Sequence, residues 1–568
     1  MGACIGSYHQ AQTSSIVADF PSIRLQNLRG LSDTGFVELK PVTVLVGRNS
    51  SGKSTFLRAL PLLRQSVERD TMGPVLWSGR LVDFGSFETA VQRGEKEVVV
   101  SFRIAAPLRT SAYDVVHDGW LLTRRSGRAP GSVDLDVSVR LQAMGRDQQT
   151  VAVGCSLQVG EDHVELAFDQ DRLSTLVVNG GDRLADAGPH ARAPRAPGAS
   201  FVPQIAPRPD ESAPHPFRDA FLGTIEARDP HQLWDARFTT GRHLGGSAKE
   251  RIAEALSSYA PDPTAYAEVY RAALQVRFGS ADQVLESLRE ATSEEGWTAP
   301  RLSARSKLYK RVKDLALIDA LPGLLRGADE SVTQLARSVT YSEPLRAAAE
   351  RYYRKQDLAV SEIESDGTNF AMYLRSLTDA ERSDFRAWTR EHLGMDVVAS
   401  SIPSHVMLEV ELEDGVRVNM ADIGFGYSQV LPVAAQVWDR TSGRRRRRRG
   451  VPGRREGVVF AIEQPELHLH PALQVRVADL LVKTVAAARS AEVPVSFVVE
   501  THSPVIIDRI GQLVADGSYL GAADAQVLLF ELESRDAAAV RRASYDADGV
   551  LRDWPHGFFE PDLLGVEA

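Results

Sequence analysis

The sequence is poor in cysteine and has no long apolar run. Cys4 and Cys155 are its two cysteines, too few for a disulfide framework or a four-cysteine zinc site. No stretch approaches the roughly 18 consecutive apolar residues that a membrane-spanning helix requires. We therefore expect a protein of the reducing cytoplasm that has no membrane partner.

Neither sign of charge dominates the chain. The formal net charge is −9 and 25% of the residues are charged, as in an ordinary soluble globular protein. This mildly acidic balance argues against a dedicated basic coat for nucleic acid, although it leaves room for a local basic groove. A chain of 568 residues is long enough for two or three domains with sizeable cores.

A glycine-rich loop separates an apolar run at 41–46 from a segment with helical spacing of apolar residues. Residues 47–54 fit the pattern G-x-x-x-x-G-K-[ST] of a phosphate-binding loop. In such a loop the backbone amides and the helix N-terminus face the phosphates of ATP, Lys53 reaches the β- and γ-phosphates, and Ser54 ligates Mg²⁺. The predicted nucleotide-binding residues here are Gly47, Arg48, Asn49, Ser50, Ser51, Gly52, Lys53, Ser54 and Thr55.

Two later apolar runs end in residues that suit ATP hydrolysis. The first is followed by Glu463, Gln464 and Glu466, and the second, at 495–499, by His502. A helical pattern between the runs predicts neighbouring parallel strands. Glu463 is the candidate acid that holds Mg²⁺ at the carboxyl edge of the sheet. His502 is the candidate group that contacts the γ-phosphate and polarises the attacking water.

The rest of the chain divides by its pattern. Residues 97–180 contain strictly alternating apolar residues, which are typical of half-buried antiparallel strands. Proline, alanine and charge dominate a linker at 181–215, and a helical pattern fills 216–400. The predicted fold class is therefore α/β, with an N-terminal half (20–180) that holds the phosphate loop and a β lobe, then a helical insertion, then a C-terminal half (401–568).

Three motifs together resemble the ATPases of the OLD type, which are relatives of the SMC, RecF and ABC-transporter ATPases. They are residues 47–54, residues 462–471 (IEQPELHLHP) and residues 500–503 (ETHS). Residues 422–429 (DIGFGYSQ) stand where that class has its signature loop, which closes over the ATP of a second subunit. The resemblance implies an ABC-type (RecF/SMC-like) P-loop ATPase head and a homodimer or higher oligomer. The residues expected to act in trans are Gly426, Ser428 and Gln429.

The resemblance also suggests a biological setting. Many ATPases of this type belong to bacterial antiphage systems such as Gabija and Septu, where the ATPase is paired with or fused to a nuclease. The stretch after His502 is too short for the usual Toprim nuclease domain. We therefore expect a separate effector protein, either a nuclease or a toxin.

Gln464 stands where ABC ATPases place a catalytic glutamate. A glutamine orients water but is a poor base. Two interpretations stay open. Either Glu466 serves as the base, or hydrolysis is slow and ATP acts as a switch that holds a dimer closed.

Residues 444–449 are six consecutive arginines. They would bind nucleic-acid phosphates with a salt-sensitive affinity, or they form a solvated loop, as blocks of like charge usually do. No aromatic residues are interleaved for base stacking. Both interpretations stay open, and nucleic acid stays open as a partner.

Three functions are compatible with this sequence. The first is an ATPase that senses or remodels nucleic acid in antiphage defence with a separate effector. The second is a DNA-repair or chromosome-maintenance ATPase, and the third is a non-hydrolysing, ATP-gated scaffold that sequesters a toxic partner. The large insertion and the unusual signature loop argue against an ABC transporter subunit.

Overall fold

The computed structural model describes most of the chain in thirteen stretches. They are 20–108, 132–146, 148–187, 190–192, 201–207, 244–261, 266–293, 297, 303–357, 359–411, 415–442, 457–534 and 537–555. The arginine run at 444–449 lies outside these residues. Within them, no helix is both long and apolar enough to cross a membrane.

Strands and helices alternate irregularly along the described part. The strands are β1 (Ser22–Leu28), β2 (Leu31–Asp33), β3 (Val37–Glu38), β4 (Val42–Gly47), β5 (Val98–Pro107), β6 (Ser132–Met144), β7 (Gln149–Val159), β8 (Asp162–Asp169), β9 (Arg172–Val178), β10 (Gly181–Asp182), β11 (His190–Arg192), β12 (Ile205–Pro207), β13 (Val339–Ser342), β14 (Tyr353–Arg354), β15 (Asp396–Ser401), β16 (His405–Glu411), β17 (Arg417–Asn419), β18 (Val458–Glu463), β19 (Val495–Glu500), β20 (Ala525–Ser534), β21 (Ala537–Tyr545) and β22 (Leu551–Arg552). The helices are α1 (Lys53–Glu68), α2 (Phe87–Ala90), α3 (Leu184–Ala187), α4 (Leu244–Ser257), α5 (Tyr266–Gln275), α6 (Ala281–Ala291), α7 (Lys307–Ser338), α8 (Phe370–Arg375), α9 (Asp379–Leu393), α10 (Phe425–Thr441), α11 (Pro471–Ser490) and α12 (Pro504–Asp516).

Five parallel strands form the core of the large sheet, in the order β13-β18-β19-β4-β20. Strands β18, β19 and β4 are buried along their whole length, as expected for strands that helices cover on both faces. Strand β4 comes from the N-terminal part of the chain and its two neighbours from the C-terminal part. The two ends of the sequence are therefore joined in one sheet, as the motifs predicted.

The same sheet continues as an antiparallel lobe. Beyond β20 the sheet continues to the antiparallel strand β21, which pairs in parallel with β2. Strand β1 then pairs antiparallel with β2 and β5. Strands β5 to β9 then form an antiparallel meander in which alternate residues are buried. The antiparallel β lobe predicted from the alternating pattern is confirmed.

Helices α4 to α7 pack beside this lobe and form the helical insertion. Ion pairs from α7 hold the two together, and Lys313 lies 2.6 Å from Asp162. The carboxylate of Asp314 accepts hydrogen bonds from Asn179 (2.9 Å) and Arg183 (2.6 Å). Paired and largely buried charges of this kind fix the orientation of the insertion on the lobe.

The structure differs from the sequence interpretation at two boundaries. Strand β13 follows α7 directly and pairs in parallel with β18, so residues 339–342 belong to the large sheet and not to an insertion reaching to 400. Part of the expected linker at 181–215 forms short elements, because β11 pairs with β9 and β12. Strands of three or four residues are too short to show a period of their own, and helical patterns on either side obscured β13.

A second, four-stranded sheet carries the segment that precedes α10. Strands β14 to β17 pair antiparallel, and β16 and β17 are the hairpin predicted at 405–420. Helix α9 contacts this sheet and packs through Phe385 against Trp438 of α10, with the ring centroids 5.0 Å apart. Helix α10 is therefore held near its C-terminal end by a buried aromatic contact with α9.

The parallel core depends on large apolar side chains between the sheet and its helices. Phe497 of β19 is fully buried and stacks on Phe460 of β18, with ring centroids 4.8 Å apart. Replacing Phe497 with alanine should destabilise the protein by about 3–5 kcal/mol, because the lost contacts leave a cavity. A lower denaturant midpoint for this variant is the measurement.

Leu532→Ala is the matched control, because Leu532 lies on β20 of the same sheet but is 48% exposed. Its effect should stay within about 0.5 kcal/mol of zero. Equal midpoints for the two variants would contradict the buried position of β19.

Candidate nucleotide-binding site

The loop at 47–52 has a backbone that only glycine adopts easily at two positions. Gly47 has φ +153° and Gly52 has φ +97°. A Cβ atom at Gly47 would lie 2.5 Å from the Phe530 carbonyl oxygen, and one at Gly52 would lie 2.5 Å from a methyl group of Leu31. The loop delivers the chain into α1, whose N-terminus has no side-chain cap. Such a terminus and loop favour an anion.

Lys53 lies across this loop. Its ammonium donates hydrogen bonds to the carbonyl oxygens of Gly47 (2.9 Å) and Arg48 (2.8 Å). Burial lowers the pKa of Lys53, while the nearby Glu500 carboxylate opposes that shift. The cation is thus held at the place where a phosphate loop receives its phosphates.

The hydroxyl of Ser54 meets a carboxylate from the middle of the parallel sheet. It donates a hydrogen bond to Glu500 Oε1 at 3.0 Å. Glu500 is 3% exposed, and within the described residues its second oxygen, Oε2, is buried without a hydrogen-bond partner. Burial raises the pKa of Glu500, the Ser54 hydrogen bond lowers it, and the nearby Glu463 raises it further.

Glu463, the acid singled out from the sequence, is one strand further from the loop and is fully engaged. Arg58 donates to both of its oxygens, at 2.7 and 2.8 Å, and the Tyr341 hydroxyl donates to Oε1 at 2.7 Å. The pKa of Tyr341 is raised by burial first and then by Glu463. The Glu463 carboxylate therefore accepts three hydrogen bonds, whereas the Glu500 carboxylate accepts one.

A tight turn after β18 brings Glu466 and His502 together. The His502 backbone amide donates to Glu466 Oε1 at 2.7 Å, and Glu466 Oε2 is buried with no partner among the described residues. Gln464 has a positive φ of 41°, and its backbone amide donates to the Glu500 main-chain carbonyl oxygen at 2.8 Å. Partial burial of the His502 ring lowers its pKa and Lys53 lowers it further, against the opposing effect of Glu466, and the net shift favours the neutral imidazole.

A buried arginine connects residues 422–429, here called the signature segment, to this turn. Arg346 is 4% exposed and donates to the Glu463 carbonyl oxygen (2.9 Å) and to the Ser342 hydroxyl (3.1 Å). Burial lowers the pKa of Arg346 to about 10, against the opposing effect of Glu466 and Glu463. Gln429 binds the main chain of Arg346 on both sides, accepting from its amide (3.1 Å) and donating to its carbonyl (3.0 Å).

The signature segment thus has an inner and an outer side. Gln429 is fully buried against Arg346, and the Ser428 hydroxyl donates back to the Phe425 carbonyl oxygen at 2.7 Å. Phe425 is 44% exposed and packs edge-on against the His468 ring. Gly424 has φ +109°, with open space where a Cβ would lie. The side facing solvent is therefore formed by the residues before Ser428.

The structure brings most of the predicted site residues to one edge of the sheet. Three of them, Glu463, Glu466 and His502, lie at or just after the ends of β18 and β19. Lys53 and Ser54 are the first two residues of α1, which packs on those strands. The sequence interpretation assigned no role to Glu500, Arg58, Tyr341 and Arg346. Glu500 had a visible indication, because it ends an apolar run just as Glu463 does, whereas the other three could be recognised only from contacts between distant segments.

Gln429 allows a direct test of the arrangement around the signature segment. We expect Gln429→Leu to lower the free energy of unfolding by about 1–3 kcal/mol, because it leaves the buried amide and carbonyl of Arg346 without partners. Nucleotide affinity should stay within about twofold of wild type, since the side chain points away from solvent. Denaturant unfolding and nucleotide titration check the two halves of this prediction.

Gln512→Leu, on the exposed face of α12, is the control for removal of an amide. Unchanged stability together with a lower nucleotide affinity in Gln429→Leu would favour the sequence interpretation, in which Gln429 contacts a nucleotide in trans.

Two family models match the chain. Residues 277–508 match the model described as "AAA domain, putative AbiEii toxin, Type IV TA system". Residues 21–100 match the model described as "AAA ATPase domain". The first stretch contains the signature segment, Glu463, Glu466, Glu500 and His502, and the second contains the glycine-rich loop. No curated protein matches the chain.

Solved structures similar to the chain include SMC head domains. The head from Pyrococcus furiosus, with an extended coiled coil and bound to the C-terminal domain of ScpA, is 11% identical with a TM-score of 0.32, and covers 92% of this chain and 97% of that chain. The head from Thermotoga maritima is 8% identical at the same TM-score and coverage. The two chain segments that build this site each match an AAA-family ATPase domain.

Proposed function

We propose that this protein binds ATP at the edge formed by the loop at 47–55 and the parallel strands β4, β19 and β18, and that ATP switches its state. The observation that carries the proposal is the meeting of Lys53, Ser54, Glu466 and His502 at that edge, from chain segments more than 400 residues apart. Loop amides and the Lys53 ammonium neutralise phosphate charge, and Ser54 lies at the start of the covering helix.

Mg²⁺ fits the donors at this edge. Ser54 supplies a hydroxyl and Glu500 supplies a carboxylate whose Oε2 is buried with no partner in the described residues. The oxygens of Glu463, the acid predicted from the sequence to hold Mg²⁺, are already bound by Arg58 and Tyr341. Mg²⁺ commonly takes one or two protein carboxylates together with substrate phosphates and water. When bound, the ion neutralises charge that develops on the phosphates during transfer.

Glu466 is the group we assign as general base for hydrolysis. The His502 amide fixes its Oε1, which leaves Oε2 to take a proton from water. Gln464, in the adjacent turn, orients water but is a poor base. The neutral imidazole of His502 can hydrogen-bond to the γ-phosphate without adding a second full positive charge beside Lys53.

We further propose that two copies close on ATP through the signature segment. Support comes from the N-terminus of α10, which has no side-chain cap and where Gly424 and the first helical residue, Phe425, are exposed. An uncapped helix N-terminus favours the phosphates of a nucleotide held by another subunit. This would make Gly426 a main-chain contact in the homodimer, with the buried Ser428 and Gln429 supporting it from behind.

The proposed setting is antiphage defence, with a separate effector protein. Two observations support it. The three motifs resemble those of OLD-type ATPases, and the family that matches residues 277–508 is described by reference to a type IV toxin–antitoxin system. The described residues after His502 form α12 and strands of the ATPase sheet, so they supply no effector domain of their own. The effector would be a nuclease or a toxin, and nucleic acid would be its target or the trigger.

One observation favours a second candidate, a scaffold that binds ATP without hydrolysing it. Gln464 occupies the place of the usual catalytic glutamate, and a slow enzyme would stay closed on ATP. In that state the protein would sequester a toxic partner until ATP is lost. The rate of hydrolysis separates this candidate from the switch that turns over.

Lys53→Ala tests ATP binding. We expect it to weaken affinity for ATP by about 10- to 100-fold, since a charge-assisted hydrogen bond to phosphate is lost. Isothermal titration calorimetry measures the effect. Lys96→Ala is the control, because Lys96 is an exposed lysine outside the site. Equal affinity of wild type and Lys53→Ala would remove the basis of the proposal.

The same variant tests the defence setting. In cells that carry the gene with its neighbouring genes, we expect wild type to reduce phage plaque numbers and Lys53→Ala to lose that protection. Protection that persists in Lys53→Ala at equal protein level would show that defence, if present, does not require this site.

Hydrolysis is tested by exchanging the two candidate groups. Glu466→Gln should slow single-turnover hydrolysis by about 100-fold or more, because a general base is lost. Gln464→Glu should speed it by placing a carboxylate near the same water. Brisk wild-type hydrolysis that Glu466→Gln abolishes excludes the passive scaffold, whereas a Glu466→Gln variant as fast as wild type excludes Glu466 as the base.

A further inference from the structure

The two buried acids at the sheet edge are neighbours in register but not equivalent in position. Glu463 pairs with Glu500 across β18 and β19, and Glu500 pairs with Leu45 across β19 and β4. Residues paired in parallel strands point to the same face, and each strand adds about 4.8 Å of distance. Glu463 is therefore two strands from the loop-bearing strand β4, and Glu500 is one strand away.

Helix α1 lies over these strands and offers a different partner to each acid. Ser54 and Arg58 are four residues apart, so they lie on the same face of the helix. Ser54 reaches Glu500, and Arg58 reaches Glu463 with two hydrogen bonds. One turn of the helix thus spans the step from β19 to β18.

The partners differ in what they leave free. Arg58 and Tyr341 occupy both oxygens of Glu463, and this carboxylate forms a buried, charge-compensated pair. Glu500 has only the Ser54 hydroxyl, which is itself a metal ligand in phosphate loops, and its Oε2 is buried and unpartnered among the described residues. Lys53 lies near Glu500, but no cation among the described residues forms an ion pair with this buried carboxylate, and a divalent ion beside Ser54 would compensate its charge.

We propose that Glu500, together with Ser54, holds the Mg²⁺ of the bound nucleotide, and that Glu463 is a positioning residue locked by Arg58 and Tyr341. This inference rests on the proposed ATP site and changes which acid serves the metal. It places the metal ligand on the strand that leads to His502. The ion and the γ-phosphate sensor would then share one strand end, residues 500–502.

The experiment compares nucleotide affinity with and without the metal. ATPγS is titrated into the full-length protein in EDTA and in Mg²⁺, and the ratio of the two dissociation constants is the readout. We expect a ratio of about tenfold or more for wild type, since charge-assisted ligands contribute at this scale. Glu500→Gln should bind ATPγS in EDTA as wild type does, while its ratio should fall to about one.

Glu463→Gln is the matched control, because it makes the same change one strand away. It should keep the wild-type ratio while lowering the thermal midpoint, since Arg58 loses its counter-charge in a largely buried setting. Ser54→Ala is the second variant and should lose the ratio as Glu500→Gln does. Electron paramagnetic resonance of Mn²⁺ with ATPγS should show bound metal in wild type and Glu463→Gln only.

Each contrary result has a distinct meaning. A ratio lost in Glu463→Gln but kept in Glu500→Gln overturns the assignment and returns the metal to Glu463. A wild-type ratio of about one also overturns it, because nucleotide binding would then need no metal. Absence of ATPγS binding by wild type in both conditions contradicts the proposed ATP site itself.

Discussion

Parallel pairing between β4, β19 and β18 is the constraint on which the rest of the structure depends. It joins a strand from the first 50 residues to two strands from the last 120 and sets their register. Because the carboxyl ends of parallel strands meet at one edge, the glycine-rich loop and the polar residues after β18 and β19 become neighbours. Long-range pairing of this kind is costly in chain entropy, and the fully buried, mainly apolar strands compensate that cost.

Arg346 links the parallel sheet to helix α10. Its guanidinium donates a hydrogen bond to the carbonyl oxygen of Glu463 at the end of β18, while Gln429 of α10 binds its main chain. A shift of α10 would therefore displace Arg346 and, through it, Glu463 and the turn that carries Glu466. In this arrangement the inner side of the signature segment and the turn that carries Glu466 are connected by one buried hydrogen-bond network.

Local patterns were sufficient to predict the loop, the acid-bearing strands and the β lobe, because each has a period or a motif within a few residues. They did not reveal β13, which is four residues long and follows a 32-residue helix. Nor did they distinguish Glu463 from Glu500, since both end apolar strands in the same way. That difference arises from strand order, which places β19 between β4 and β18, and from Arg58, whose partner is 405 residues away in sequence.

The central claim is that distant chain segments form one binding site for a triphosphate. A crystal structure of the protein with ATPγS and Mn²⁺ tests it most directly, with anomalous scattering to locate the metal. We expect phosphates enclosed by residues 47–54 and one metal peak beside Ser54, on the side of β19. Nucleotide bound elsewhere, or a loop at 47–54 without phosphate at saturating ATPγS, would contradict it.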